Sequence, residues 1–382
     1  MPLKVGASHD FSMQAAIAET RHWPELDGVR GLAALLVVYA HLFLIWVPNQ
    51  PSWIFWARTI TGQAWTGVYL FFILSGFLIG GILLRNRNAE NYYRVFYARR
   101  ALRIFPLYFC LLGLFFVVRL VFAPAHPEEF APGPVPLWTY FVFIQNFPMA
   151  VTGDWGVGPL GVTWSVALEE QFYLFLPLWI RLIPVRWHVT SFLLLAGIGP
   201  VFRAFTPLAH PPFLVPGSSE SLFLGVLLAW LFEYKRDVFR SVRWRSVVVG
   251  LLAIGAGGMA LIVTRNDLGA FAITLTTLFW AAFLWLVLAF MGSPFTAWLR
   301  NRFLCWVGKI SYGTYLFHPM VSTVVFLLVT GDRPRKELGL TGFGLSSLAF
   351  LATLGVASLF FYGMERRLVA MGHHLSYRER AS

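Results

Sequence analysis

The stretch GVYLFFILSGFLIGGILL, residues 67–84, contains no Asp, Glu, Lys, Arg or His. An uninterrupted apolar run of about 20 residues is long enough to cross the hydrocarbon core of a bilayer as one helix. In hydrocarbon every backbone amide needs an internal hydrogen-bond partner, and a helix meets this requirement within a single segment. The stretch therefore predicts a membrane-spanning helix.

Comparable runs recur along the 382-residue chain, which is 58% hydrophobic and only 13% charged. This composition is too apolar for a water-soluble protein, and the length of the runs favours helices over the short alternating strands of a barrel. We predict an all-α polytopic membrane protein, a bundle of about ten transmembrane helices. The predicted spans are 26–47, 66–84, 104–123, 164–184, 188–206, 218–232, 246–264, 269–291, 311–330 and 342–363, of which 218–232 is the shortest.

The distribution of basic residues predicts the orientation of the bundle. Cytoplasmic loops of membrane proteins hold an excess of Lys and Arg. Residues 85–103 contain six arginines, whereas 124–163 contain neither Lys nor Arg. This predicts a cytoplasmic N-terminal tail at 1–23, one transmembrane domain at 24–365 and a cytoplasmic C-terminal tail at 366–382. The same rule accounts for the net charge of +12, so we predict no nucleic-acid partner.

Ionisable groups inside predicted spans are candidates for function, because hydrocarbon disfavours them. Arg30 and His41 are eleven residues apart in the first span, so they face the same way and lie about 16 Å apart along the helix axis. A His at this depth could serve as a general base for acyl transfer. The alternative is an Arg that extends to the interface and a His bonded to a nearby carbonyl.

Two adjacent carboxylates, Glu169 and Glu170, lie in the fourth predicted span at the depth of His41. Neighbouring helical positions are about 100° apart, so at most one of them points squarely into the bundle. We expect one, with Glu169 favoured, to lie within hydrogen-bond or single-water reach of the His41 ring. The alternative is a pair at the outer interface that reaches water.

Further polar groups cluster near the cytoplasmic side. Arg99 and Arg103 are one helical turn apart before the third span, which suits recognition of phosphate by forked donors, although topology alone also places Arg there. In the ninth span, Ser311, Tyr315 and His318 form a polar stripe that could line a channel for an acyl donor. Packing at the interface is the alternative for the tyrosine.

Several other site types are not indicated by the sequence. Cys110 and Cys305 lack the spacing of a zinc site or a disulfide framework, so we predict no metal. The chain contains no serine-hydrolase elbow, Walker A loop or dinucleotide-binding fingerprint. Ser75, Gly76 and Gly80 form a small-residue surface, for which helix packing is the better explanation.

Five segments together resemble the acyltransferase 3 family of bacterial inner-membrane O-acyltransferases. They are ELDGVRGLAALLVVYAHLF at 25–43, GVYLFFILSGFLIG at 67–80, ARRALRIFPLY at 98–108, TWSVALEEQFYLFLP at 163–177 and VGKISYGTYLFHP at 307–319. The resemblance covers nearly the whole chain. It departs at Tyr69, where many relatives have Asp, so no role of that acid can be carried over.

The resemblance implies a multi-pass protein of the bacterial inner membrane that transfers an acyl group from cytoplasmic acyl-CoA, often acetyl-CoA, to a hydroxyl of a sugar, glycan or glycolipid. It implies acyl-CoA as co-substrate and no resident cofactor. Arg30 and His41 match the family's R-x10-H pair, and Arg99 and Arg103 match its cytoplasmic Arg motif. The chain ends soon after its last predicted span, so we expect it to complete the transfer itself or to pass the acyl group to a separate extracytoplasmic transferase.

A second function of a different class fits some of the same residues. A transporter or flippase for a glycolipid or acyl species would also place polar groups at mid-depth, without covalent chemistry. Such proteins often have inverted repeats and interrupted helices at matching positions, and the sequence contains neither. An O-acyltransferase is therefore the favoured interpretation.

Overall fold

The computed structural model describes residues 23–44, 61–131, 133–265, 271–332 and 339–378, and this part of the chain is helical without strands. Ten of its helices have 18 or more residues and are numbered here in chain order. They are α1 Pro24–Leu42, α2 Gly67–Arg85, α3 Tyr92–Phe122, α4 Thr163–Leu182, α5 His188–Phe205, α6 Val215–Tyr234, α7 Val242–Arg265, α8 Phe271–Ala289, α9 Ser311–Thr330 and α10 Gly339–Phe360.

The ten helices confirm the prediction of an all-α polytopic membrane protein. Eight helical segments, which contain α2, α3 and α5–α10, are long and apolar enough to cross a membrane. The other two, α1 and α4, contain the ionisable residues singled out above, and these charges lower their hydropathy. The short predicted span at 218–232 lies within α6, a full helix of 20 residues. Residues 1–22 of the N-terminal tail predicted at 1–23 lie outside the described residues.

Helices α2 and α6 pack backbone against backbone through glycine. A Cβ atom at Gly76 would overlap the carbonyl oxygen of Leu222, and one at Gly225 would overlap that of Ile73. Gly80 faces Val226 on the same surface. Small residues allow this approach in lipid, where apolar side chains gain little by leaving hydrocarbon. The predicted packing role of Gly76 and Gly80 is therefore confirmed.

A second close contact fixes the N-terminal half of α1. The short helix Arg302–Lys309 lies against it, and a Cβ at Gly28 or Gly31 would overlap the backbone carbonyl oxygens of Leu299 or Leu304. Gly308 approaches the backbone of α1 in the same way. Arg30 lies between the two α1 glycines, so this contact sets its height in the bundle.

The segment between α3 and α4 is anchored to α4 by amide side chains. The Gln171 amide donates to the Phe143 carbonyl and to Asn146 Oδ1, both at 2.9 Å. Gln145 donates to the Thr163 carbonyl at 2.9 Å, and its side chain is fully buried. Gln171 follows directly after the two glutamates, so one turn of α4 carries both the carboxylates and this anchor.

The C-terminal residues that the structure describes pack against the start of α3. A π-helical turn, Phe361–Glu365, leads into the helix Arg366–His373. Asn91 then donates to the Ser376 carbonyl at 2.9 Å, and the Glu90 amide donates to the Arg378 carbonyl at 3.0 Å. The predicted C-terminal tail is thus held on the bundle over its described length.

The glycine contact between α2 and α6 generates a stability prediction. Gly76→Ala places a methyl group against the Leu222 backbone, and overpacking of this kind costs about 1–3 kcal/mol. Gly113→Ala is the matched control, because it makes the same change within α3 where a Cβ would meet no atom within 4 Å. We expect the detergent-purified Gly76 variant to melt several degrees below wild type and the Gly113 variant to melt at or above it. Equal melting temperatures would contradict the packing interpretation.

Candidate functional site

A cavity of about 200 Å³ lies among α1, α2, α3, α4 and α9. Its lining combines apolar side chains of α2 with polar side chains from all five helices. The polar lining residues are Arg30, Ser75, Arg100, Arg103, Ser165, Glu169, Tyr173, Ser311, Tyr312 and Tyr315. The cavity therefore brings together four of the predicted site residues, Arg30, Arg103, Glu169 and Tyr315.

Positive charge dominates the cavity. Arg30 from α1 and Arg100 and Arg103 from α3 line it, whereas Glu169 is the one carboxylate in its lining. Arg30 pairs loosely with Asp27, with 3.5 Å between Nη1 and Oδ1. Glu170 and Glu365 also interact electrostatically with these arginines from outside the lining, so part of the positive charge is compensated within the protein. The guanidinium groups that line the cavity can still donate to an anion. Part of an anionic ligand is the group that this end of the cavity fits best.

The arginines of α3 contact different parts of the protein, and the sequence does not indicate this difference. Arg103 lines the cavity as expected, but Arg99 does not. Its Nε and Nη2 donate to the Leu375 carbonyl at 3.0 and 2.7 Å, and its guanidinium lies 5.1 Å from the centre of the Tyr377 ring. Arg99 thus contacts the C-terminal segment, and Arg100 joins Arg103 in the cavity wall.

Glu169 is held by a chain of hydroxyl groups. Tyr173, one turn further along α4, donates to Glu169 Oε2 at 3.1 Å, and its oxygen lies 2.5 Å from Ser75 Oγ. The i, i+4 spacing of Glu169 and Tyr173 could have indicated this contact from sequence. Ser75 could not be found in this way, since its partner lies on another helix. The serine lines the cavity, while Gly76 and Gly80 perform the packing.

Tyr315 and Ser165 close the far wall of the cavity. Their hydroxyl oxygens lie 2.6 Å apart, and the tyrosine also donates to the Val162 carbonyl at 3.1 Å. His318, three residues further along α9, is fully buried and contacts the Tyr315 ring with 6.0 Å between ring centres. This wall therefore separates the arginine end of the cavity from a histidine.

The two predicted histidines meet. The rings of His41 and His318 lie 4.9 Å apart, centre to centre, which brings α1 and α9 together above the cavity wall. His41 is exposed, whereas His318 has 0% exposure. His41 Nδ1 lies 2.8 Å from the Val37 carbonyl oxygen, and His318 Nδ1 lies 2.7 Å from that of Tyr315. A carbonyl oxygen only accepts, so each neutral ring carries its proton on Nδ1 and its lone pair on Nε2.

The expected direct hydrogen bond between a carboxylate and His41 is wrong, and reach through a single water stays a prediction. Within the described part of the chain neither Glu169 nor Glu170 bonds to the imidazole, and the backbone carbonyl of Val37 fixes the tautomer instead. Glu169 points towards the arginines, where the electrostatic attraction is stronger. Glu170 lies outside the cavity lining, and its Oε1 is buried with no hydrogen-bond partner among the described residues.

The site therefore has two chemically different ends. Arg30 and His41 lie on one face of α1, about 16 Å apart along the axis. Guanidinium groups at the first end can bind an anion, and an imidazole with a free Nε2 at the second can take a proton from a hydroxyl. The described residues contain no group of three or more His, Cys, Asp or Glu placed to hold a metal ion.

Comparison with known proteins places this site in a family. A family model described as an acyltransferase domain matches residues 23–362. The chain is 26% identical over 360 residues to the O-acetyltransferase OatA of Staphylococcus aureus (strain NCTC 8325 / PS 47), an alignment that covers 85% of the chain and 55% of the relative. It is 25% identical over 374 residues to the peptidoglycan O-acetyltransferase OatA of Listeria monocytogenes, covering 90% and 55%.

The chain spans little more than half the length of these curated relatives, 55% in both alignments. No solved structure matches it. The family model, by contrast, covers all ten helices of the bundle, from α1 to α10. The predicted resemblance is confirmed, and this chain belongs to the acyltransferase 3 family.

Proposed function

We propose that this chain is a membrane-embedded O-acetyltransferase that transfers an acetyl group from cytoplasmic acetyl-CoA to a hydroxyl of a cell-envelope glycan. The observation that carries the proposal is a cavity lined by three arginines, with a pair of contacting histidines next to its lining residue Tyr315. An acyl-CoA has the matching polarity, since its phosphates and its thioester lie at opposite ends of a long flexible arm.

The size and charge of the cavity support this donor. A volume of about 200 Å³ is smaller than the roughly 300–1,000 Å³ of pockets that enclose a whole drug-sized ligand. The cavity therefore suits a phosphate group and part of a narrow arm, with the rest of the donor on the cytoplasmic side. Arg30, Arg100 and Arg103 would bind the phosphate, and the apolar side chains of α2 would contact the arm.

His41 supplies the base in this proposal. Its Nδ1 proton is directed at the Val37 carbonyl, so the Nε2 lone pair is available to accept the proton of an acceptor hydroxyl. The hydroxyl oxygen then attacks the thioester carbonyl, a new C–O bond forms and the C–S bond breaks. The exposure of His41 is consistent with an acceptor that approaches from outside the bundle.

The names of the relatives support the proposed acceptor class. The names of the two matched proteins are O-acetyltransferase and peptidoglycan O-acetyltransferase, which favours a glycan of the cell envelope. With both termini in the cytoplasm, as the positive-inside pattern predicts, His41 lies in the outer half of a bacterial inner membrane, where such a glycan can reach it. The acetyl group passes directly to this acceptor or to a separate extracytoplasmic transferase.

The first prediction concerns His41. His41→Ala is expected to lower the turnover number at least about 100-fold, because general-base catalysis contributes roughly 10²–10⁴ to the rate. Radiolabelled acetyl-CoA and extracted envelope glycans, incubated with purified protein, measure the transfer. Membrane insertion and melting temperature should match wild type, because the exposed side chain packs little of its surface. Near-normal turnover would eliminate His41 as the base, and uptake of label without covalent transfer by wild type would favour a transporter.

The second prediction separates the arginines of α3. Arg100→Gln and Arg103→Gln should each raise KM for acetyl-CoA by roughly 10-fold to 100-fold, the effect of losing a charged hydrogen bond of about 1.5–3 kcal/mol. Arg99→Gln is the matched control, because Arg99 contacts the C-terminal segment and lies outside the cavity lining. We expect its KM to stay within about 3-fold of wild type. The same KM for all three variants would indicate that these arginines do not bind the donor and that the positive-inside rule alone accounts for them.

A further inference from the structure

The chemistry proposed above leaves the final position of one proton open. When His41 accepts a proton from the acceptor hydroxyl, the departing sulfur of CoA still needs a proton to leave as a thiol. The proton on His41 Nε2 lies on the acceptor side of the thioester. A second group that accepts this proton and delivers it to the sulfur would complete the cycle.

His318 has the position for this role. Its ring lies 4.9 Å from that of His41 on one side and 6.0 Å from the cavity-lining Tyr315 on the other. Its ring therefore neighbours both the exposed base and a residue that lines the cavity we assign to the donor.

His318 also has the protonation state for this role. Its Nδ1 proton is directed at the Tyr315 carbonyl, and its Nε2 has no hydrogen-bond partner among the described residues, although the side chain is fully buried. A buried polar atom without a partner calls for an explanation. His188 Nδ1 is also buried and has no partner among the described residues, so the contact with the His41 ring is what distinguishes His318. A transient proton on Nε2 is such an explanation, since it would give this atom a function during turnover.

We propose that His318 is a catalytic residue that relays the proton from His41 to the CoA sulfur, an inference that rests on the proposed function. The acceptor O–H bond breaks as His41 Nε2 takes the proton, and the new C–O bond gives a tetrahedral intermediate. The proton passes to His318 Nε2, directly or through one water, and then to the sulfur as the C–S bond breaks. Both imidazoles end neutral, and the products are the O-acetyl ester and CoA thiol.

A comparison of two buried histidines tests whether His318 acts in catalysis. His318→Gln keeps a polar side chain of similar length but cannot relay a proton, so we expect the turnover number to fall about 100-fold or more, with KM for acetyl-CoA unchanged. His188→Gln is the matched control, because His188 is 1% exposed but bonds to the Ile183 carbonyl at the start of α5, outside the cavity lining. We expect its activity to equal wild type and both variants to melt at the same temperature.

The choice of donor distinguishes a relay from a structural role. With 4-nitrophenyl acetate as donor, the leaving group departs without protonation. The rate of His318→Gln should therefore lie within about 10-fold of the wild-type rate with that donor, while His41→Gln stays inactive. Equal losses with both donors, or full activity of His318→Gln with acetyl-CoA, would overturn the relay. Absence of any transfer from acetyl-CoA by wild type would instead contradict the proposed function and not the relay alone.

Discussion

The arrangement of this protein depends on how it holds three positive charges inside a membrane. A guanidinium in hydrocarbon is strongly disfavoured unless it faces a cavity, an opposite charge or a ligand. Arg30, Arg100 and Arg103 come from two helices and meet in a single cavity with one carboxylate in its lining. Close backbone packing at the α1 glycines fixes the first of them. Three guanidinium groups in one lining support the proposal that this cavity binds an anionic part of the donor.

Backbone carbonyls, and not carboxylates, orient the histidines of this site. Each Nδ1 bonds to the carbonyl of its own helix, so each ring direction depends only on local helix geometry. A carboxylate partner would have brought a negative charge next to the base and favoured its protonated form. The carbonyl fixes which nitrogen carries the proton without adding a negative charge, which suits the general base proposed above.

Features that depend on a single segment of the chain were predictable from the sequence. All ten helices, including the short run within α6, follow from apolar length, and the shared face of Arg30 and His41 follows from helical period. Contacts between helices were not predictable in this way. Counting from span ends placed Glu169 level with His41, but such a count contains no information on the relative rotation of two helices. The separation of Arg99 from Arg103 and the meeting of His41 with His318 depend on tertiary neighbours for the same reason.

The anchor formed by Gln171 gives α4 a further property. Glu169 and Gln171 are two positions apart, about 200° around the helix, so they face opposite sides. The glutamate lines the cavity, and the glutamine holds the segment between α3 and α4. Any rotation of α4 about its axis must therefore displace both at once. A displacement of that segment would thus change the position of Glu169 relative to the arginines, although the segment itself lies outside the cavity lining.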